Sequence, residues 1–242
     1  MSHDLPEGVL HFEESYRVYC TLVLGETLAI LWDTGQGKLE TLREFVENRV
    51  KTDYLVLNSH GHNDHIAGNH RFPKVYANRA DWPLLGMYAR MTTGGSPSYE
   101  VEDLEPGDRF DLGGRHARIV SLAGHTQGSV GLLLEEDRLL LAGDGLNTTL
   151  LLLGVESAPL DQLRRTLEET EELPVDRYLS SHAPNPLPKA QVGVHLRHLD
   201  NLHTEPPSRP GPYGPRIIRS TYKEKSGRSV IHFDRGLLPD RQ

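Results

Sequence analysis

The chain has 242 residues, 37% of them hydrophobic, a formal net charge of −8 and a single cysteine. That length suits one α/β domain with a core large enough to need no staples, and one cysteine excludes an internal disulfide. The acidic balance argues against a general nucleic-acid binder. No run reaches the roughly 18 apolar residues a membrane span needs, and the first residues lack a basic-then-apolar leader pattern, so a cytoplasmic protein is expected.

Three strands open the chain, over Val9–Glu14, Arg17–Leu24 and Thr27–Asp33, the last two joined by the Gly25-Glu26 turn. Leu39, Leu42, Phe45 and Val46 share one face of a helix predicted over Lys38–Val50. The apolar run Tyr54–Leu57 reads as a buried strand, and residues 60–65, His-Gly-His-Asn-Asp-His, begin almost where it ends. A short helix starts near Asp64, Lys74–Ala77 is a strand and 78–92 a helix. Residues 93–107 lack periodicity and read as a long loop of the kind that forms lids.

The second half places strands at 108–112, 115–122, 129–135 and 138–143, a helix at 159–172, a strand at 176–181 and a helix at 188–204. Leu150–Leu153 reads equally as a core element or as an apolar substrate entrance. His195 and His198 share a face of the last helix, expected to be solvated. The Pro-rich stretch 206–215 reads as a semi-rigid connector, and Arg216–Tyr222 with Arg228–Phe233 as a basic, solvated hairpin sealing a sheet edge. The expected division is a catalytic domain at 1–205, with connector and hairpin, 206–242, appended to it. Two sheet-forming halves with flanking helices suggest an α/β fold, a four-layer αββα sandwich of two mixed β-sheets.

The chemistry concentrates in residues 60–65. His60 and His62, two apart in a loop, can converge on one ion, while the adjacent Asp64 and His65 diverge towards a second. Imidazoles with one carboxylate suit Zn²⁺ or Fe²⁺. His125, Asp144 and His182 each follow an apolar run, which puts them on the same rim of a sheet as candidate further ligands. Cys20 sits in an apolar strand and reads as a buried structural thiol, and no G-x-S-x-G elbow offers a serine nucleophile.

The order HxHxDH, then Gly124-His-Thr-Gln-Gly-Ser129, then a strand ending in Gly143-Asp144, then a strand-end His182 resembles the metallo-β-lactamase superfold, over about residues 16–200. The resemblance implies one metal on His60, His62 and His125, another on Asp64, His65 and His182, and Asp144 bridging both. It implies two Zn²⁺ as cofactors, with Fe or Mn as alternatives, and Asp33 supporting the metal loop from behind. His at 62 rather than Glu disfavours the oxygen-reducing diiron flavoproteins, and a bridging Asp rather than Cys or Ser disfavours antibiotic hydrolysis. Glyoxalase II enzymes and acyl-homoserine lactonases share the ligand set. The Ser181-His-Ala-Pro-Asn185 setting departs from the first group, and Asn147-Thr-Thr149 from the second.

The implied function is therefore a dinuclear hydrolase of the glyoxalase II/lactonase-like branch, subfamily unresolved. It would cleave a small ester, thioester or lactone with a metal-bridging hydroxide oriented by Asp64. Tyr99 and Asn147 are candidate substrate contacts. Expected partners are a small-molecule substrate and, as an option, a second copy in a homodimer. The alternatives are a mononuclear Fe(II) sulfur dioxygenase-like enzyme using His60, His125 and Asp144, and a metal-binding member without turnover.

Overall fold

A computed structural model describes residues 5–204 and 210–237. Six strands form the first sheet, in spatial order β1 (Val9–Ser15), β2 (Val18–Val23), β3 (Leu28–Trp32), β4 (Asp53–Leu57), β5 (Lys74–Ala77) and β6 (Glu100–Asp103). It is antiparallel from β1 to β3 and parallel from β3 to β6. The second sheet runs β7 (Arg109–Asp111), β8 (His116–Ser121), β9 (Val130–Leu134), β10 (Leu139–Gly143), β12 (Arg177–Ser180) and β13 (Leu187–Pro188), with only the β10–β12 pair parallel.

Side chains alternate across each strand, and this alternation builds the layers. Ile30 and Trp32 of β3 face inward and meet Ile119, Leu132, Leu139 and Leu141 of the second sheet. Leu31 and Val56 turn outward onto Leu42 and Val46 of α1 (Leu42–Glu47). On the opposite outer face, Leu133 and Leu140 pack with Leu163 and Leu167 of α4 (Leu160–Glu172) and Val192 and Leu199 of α5 (Ala190–Thr204). The result is the αββα sandwich. Two further helices, α2 (Asn63–Ile66) and α3 (Trp82–Thr93), lie between β4 and β6 along the chain.

A third sheet is added to this frame. It comprises β11 (Thr149–Leu152), β14 (Pro210–Gly211), β15 (Gly214–Glu224) and β16 (Gly227–Asp234), in the order β11-β16-β15-β14. The hairpin thus pairs with the segment that follows Asp144 instead of sealing an edge of either large sheet. Ile218, Ile231 and Phe233 share a core with Leu150 and Leu152. The first part of the Pro-rich connector, 206–209, lies outside the described residues, while Pro210–Gly211 pairs with β15 as an edge strand.

Other elements differ from expectation for local reasons. The first helix shrinks to Leu42–Glu47; ahead of it the Leu39 N–H donates to Glu14 Oε1 (2.6 Å) and the Leu39 carbonyl accepts from Leu42 N (3.0 Å), a tight turn in place of a helical one. The expected loop 93–107 contains β6, a four-residue edge strand carrying only Val101 as an apolar residue, too little for periodicity to register. His195 and His198 are fully buried under the hairpin, not solvated. A continuous relay accounts for them. Ser220 Oγ donates to His198 Nε2 (2.8 Å), His198 Nδ1 to Ser229 Oγ (2.7 Å), Ser229 Oγ to His195 Nδ1 (2.7 Å), and His195 Nε2 to the Asn147 carbonyl (2.6 Å). Every polar atom is satisfied with both rings neutral, which makes the burial affordable.

Candidate metal centre

The parallel strands β3, β4, β10 and β12 all end at one rim, and the loops beyond them carry Asp33, His60 to His65, Asp144 and His182. His125 comes from the loop between β8 and β9. Gly143 has φ +54°, and a Cβ there would stand 2.5 Å from the Ser59 side chain, so only glycine lets the β10 end approach the 60–65 loop this closely.

The seven expected ligands converge. Three groups have donor atoms within 4.8 Å of one another: His60, His62 and His125; His60, His65 and Asp144; and Asp64, His65 and His182. Asp144 lies between the outer two groups. Its Oδ2 is 3.6 Å from His125 Nε2 and 3.1 Å from His182 Nε2, and its Oδ1 is 3.6 Å from His65 Nε2. Asp64 Oδ2 is 3.6 Å from His65 Nε2 and 3.5 Å from His182 Nε2.

Each ring is held from behind by its other nitrogen. His60 Nδ1 donates to Ser59 Oγ (3.0 Å), His62 Nε2 to Glu156 Oε1 (3.3 Å) and His65 Nδ1 to Asp33 Oδ2 (3.0 Å). His125 Nδ1 donates to the Leu151 carbonyl (2.6 Å) and His182 Nδ1 to that of Arg17 (3.2 Å). These partners assign the tautomers, and every remaining nitrogen presents a lone pair to the common centre. His62 Nδ1 and His125 Nε2 face each other at 2.8 Å, and His60 Nε2, His65 Nε2 and Asp144 Oδ1 are buried with no hydrogen-bond partner. Facing lone pairs and orphaned buried acceptors repel unless cations lie among them, so the donor set fits divalent ions.

The proton affinities follow the same charge pattern. Burial and the neighbouring rings push His60 and His62 down towards neutral imidazole, the ligating form. Burial opposes charge on His65, but Asp144, Asp33 and Asp64 outweigh it and raise that ring to about 10, so its Nε2 holds a cation, whether a proton or a metal ion in the proton's place. Burial also opposes ionisation of Asp144, yet His65, His182 and His125 hold its carboxyl well below the usual range. The end of the cluster beside His65 and Asp144 is therefore where positive charge is most favoured.

Asp33, expected to support the metal loop, is fully buried at φ +62°. It accepts from Ser59 N (2.7 Å), Ser59 Oγ (2.8 Å), His65 Nδ1 and Ser181 Oγ (3.2 Å), so one carboxylate ties together loops from both sheets. Sequence reasoning missed two counterparts. Asp81, buried just before α3, accepts from Gly61 N (2.8 Å), Thr126 Oγ1 (2.7 Å) and Gly128 N (3.0 Å), locking the His60–His62 loop to the His125 loop. Glu156 orients His62 and lines the cavity over the cluster. An acidic residue opening a helix was the only signal for Asp81, and Glu156 had none.

That cavity, about 630 Å³, is lined by Asp64, Asp144, Tyr88, Leu151 and Leu153 among others. Leu150 and Leu152 point into the core while Leu151 and Leu153 face the cavity, so β11 serves as core strand and cavity wall at once. Tyr99 does not line this cavity but the one beside it. Asn147 lines neither. Its side chain accepts from Thr148 N (2.7 Å), and its carbonyl serves His195.

A family model described as the metallo-beta-lactamase superfamily matches residues 16–182. The chain belongs to that superfamily. Among curated relatives, this metallo-beta-lactamase superfamily member is 34% identical over 120 residues to an uncharacterized protein of Mycobacterium tuberculosis, covering 43% of this chain and 54% of the relative. It is 33% identical over 124 residues to a hydroxyacylglutathione hydrolase of Methylococcus capsulatus, covering 50% of this chain and 44% of that one. The matches thus span about half the length of these relatives. A metallo-beta-lactamase family protein of Thermus thermophilus superposes with a TM-score of 0.59 at 16% identity, over 95% of this chain and 99% of that one, a likeness of fold. No described helix is long and apolar enough to cross a membrane.

Proposed function

We propose that this superfamily member is a metal-dependent hydrolase of small esters, thioesters or lactones that works with two zinc ions. The observation that carries the reading is the pair of outer donor groups, His60/His62/His125 and Asp64/His65/His182, joined by a third, His60/His65/Asp144, whose Asp144 reaches both. When bound, a pair of divalent ions supplies water acidified to near neutral pH and a charge that polarises a carbonyl. The residues do the rest. Asp64, partly open to the cavity, accepts a hydrogen bond from the attacking water and orients it. Leu151 and Leu153 give the acyl group an apolar wall, and Asp33 and Asp81 keep the ligand loops in register. Relatives named hydroxyacylglutathione hydrolase support hydrolysis of an acyl substrate.

The test is the metal content of the purified protein measured beside turnover on an ester, thioester and lactone panel. Two zinc equivalents with hydrolysis are expected, and Asp144→Ala should lose most activity. One iron with oxygen uptake, or wild-type turnover in Asp144→Ala, refutes the dinuclear hydrolase.

A further inference from the structure

A second chamber of about 420 Å³ adjoins the cavity over the cluster, and Gln36, Asn63 and Tyr88 line both. A substrate whose reacting bond sits at the metal centre therefore has room, past Tyr88, for a second group of small-molecule size. The two chambers differ in charge. Asp64, Asp144 and Glu156 line the first, whereas among the described residues no acidic side chain lines the second, and Lys38 on its wall is the one with a permanent charge.

Two cations at this chamber lack a carboxylate partner among the described residues. Lys38 is exposed and makes no hydrogen bond or ion pair with any described residue. Arg71 stands behind the wall, donating through Nη1 to His70 Nε2 (2.6 Å) and through Nη2 to the Gly37 carbonyl (2.9 Å), and its Nε is buried without an acceptor. His70 and Gly37 both line the chamber. His70 Nδ1 donates to the Ala67 carbonyl (2.7 Å), which leaves Nε2 to accept from Arg71, and no carboxylate among the described residues meets the guanidinium. On a chain with 34 acidic against 26 basic side chains, two cations left without carboxylates at one chamber amount to a local excess that an anion would balance.

We propose that the substrate carries a carboxylate on the part remote from the reacting bond, and that this carboxylate is received in the second chamber by Lys38, in the field of Arg71. The orientation rests on the hydrolase reading; the charge preference does not. Tyr88 separates the two ends, and Tyr99 and Pro97 give the intervening chain an apolar bed.

Two measurements test this on the zinc-loaded protein. In the first, glutarate and its monoamide are compared by calorimetry; one carboxylate of each is available to the metal centre, and only glutarate has a second for Lys38. Glutarate should bind about tenfold tighter, less so at high salt. Lys38→Gln should bring the ratio near one, and Lys38→Glu should invert it. Both substitutions are at an exposed position, so the fold should survive them. In the second, thioesters differing only in a terminal carboxylate or carboxamide are compared by kcat/KM, with the same ordering expected. Equal binding of the two ligands, or a preference that survives Lys38→Gln, overturns the proposal. Turnover without charge preference sinks the chamber assignment alone. Charge-selective binding that depends on Lys38, with no turnover of any ester or thioester, upholds the chamber and sinks the hydrolase.

Discussion

Replacing Asp81 by Asn tests whether the ligand loops are held by this buried carboxylate. Two donors, Gly61 N and Thr126 Oγ1, converge on Oδ2, and a third, Gly128 N, meets Oδ1, all at 2.7–3.0 Å. An amide of the same shape must turn its NH₂ towards one of these sides, where it meets an N–H or O–H instead of a lone pair. At least one charge-assisted bond of about 1.5–3 kcal/mol is lost and a buried donor is left unpaired, so a destabilisation of about 2–4 kcal/mol is expected. Because the carboxylate joins the His60–His62 loop to the His125 loop, zinc affinity should also fall, by about 10–100-fold, as when other supports of metal ligands are removed. Urea unfolding followed by circular dichroism reads the first effect, and competition with a chromophoric chelator the second. A variant within about 0.5 kcal/mol of wild type, with unchanged zinc affinity, would show that the loops hold their positions without Asp81.

Acid should weaken the fold through the buried relay. His195 is held down to about 4 by burial against an ordinary 6.5, so its contribution is complete above about pH 6.5 and is lost as pH falls towards 4. That is worth about 3 kcal/mol. Urea midpoints across this window should fall, and less steeply in His195→Gln; parallel profiles would contradict the relay. Glu156→Ala should loosen the ion at His60, His62 and His125 by about tenfold while Glu156→Gln retains it, read as one weakened class in a zinc titration. Stripping metal with a chelator should lower Tm, by about 4 kcal/mol of lost stability when zinc stands at a thousand times its Kd. A melting curve indifferent to both chelator and zinc would deny that the donor cluster holds metal. Tyr99→Phe should leave KM, kcat and metal content near wild type, because its ring lines the second chamber as an apolar wall and not the reacting one; a fall in kcat would place the phenol at the metal centre.

The ligand cluster was legible because its information is local. Six consecutive residues carry four donors, and His125, Asp144 and His182 advertise themselves by following apolar strands. The layers were legible for the same reason, since unbroken apolar runs such as Leu28–Trp32 mark strands covered on both faces. Asp81 was not, because its three partners lie in loops distant along the chain and nothing in Asn-Arg-Ala-Asp-Trp reports them. His195 and His198 misled in the other direction. Two polar residues on a helix read as solvated until serines from the hairpin and a carbonyl from the 147 turn supply every hydrogen bond. Asn147 is absent from both cavity walls, its carbonyl committed to that relay and its side-chain oxygen to Thr148 N.

Strand β11 gives the C-terminal hairpin a hold on the centre. Leu151 pairs in register with His232 of β16 while its carbonyl takes the His125 N–H, and four residues earlier Asn147 is tethered through His195 to Ser229, also on β16. The hairpin and the ion thus share one segment, and their equilibria are reciprocal: whatever shifts one must shift the other by the same free energy. Saturation with zinc should slow amide exchange along β16, which carries no donor atom itself, and fraying of the hairpin should speed escape of an ion coordinated by His125. A region that reads as an appendage in the chain would then act as the governor of metal residence time.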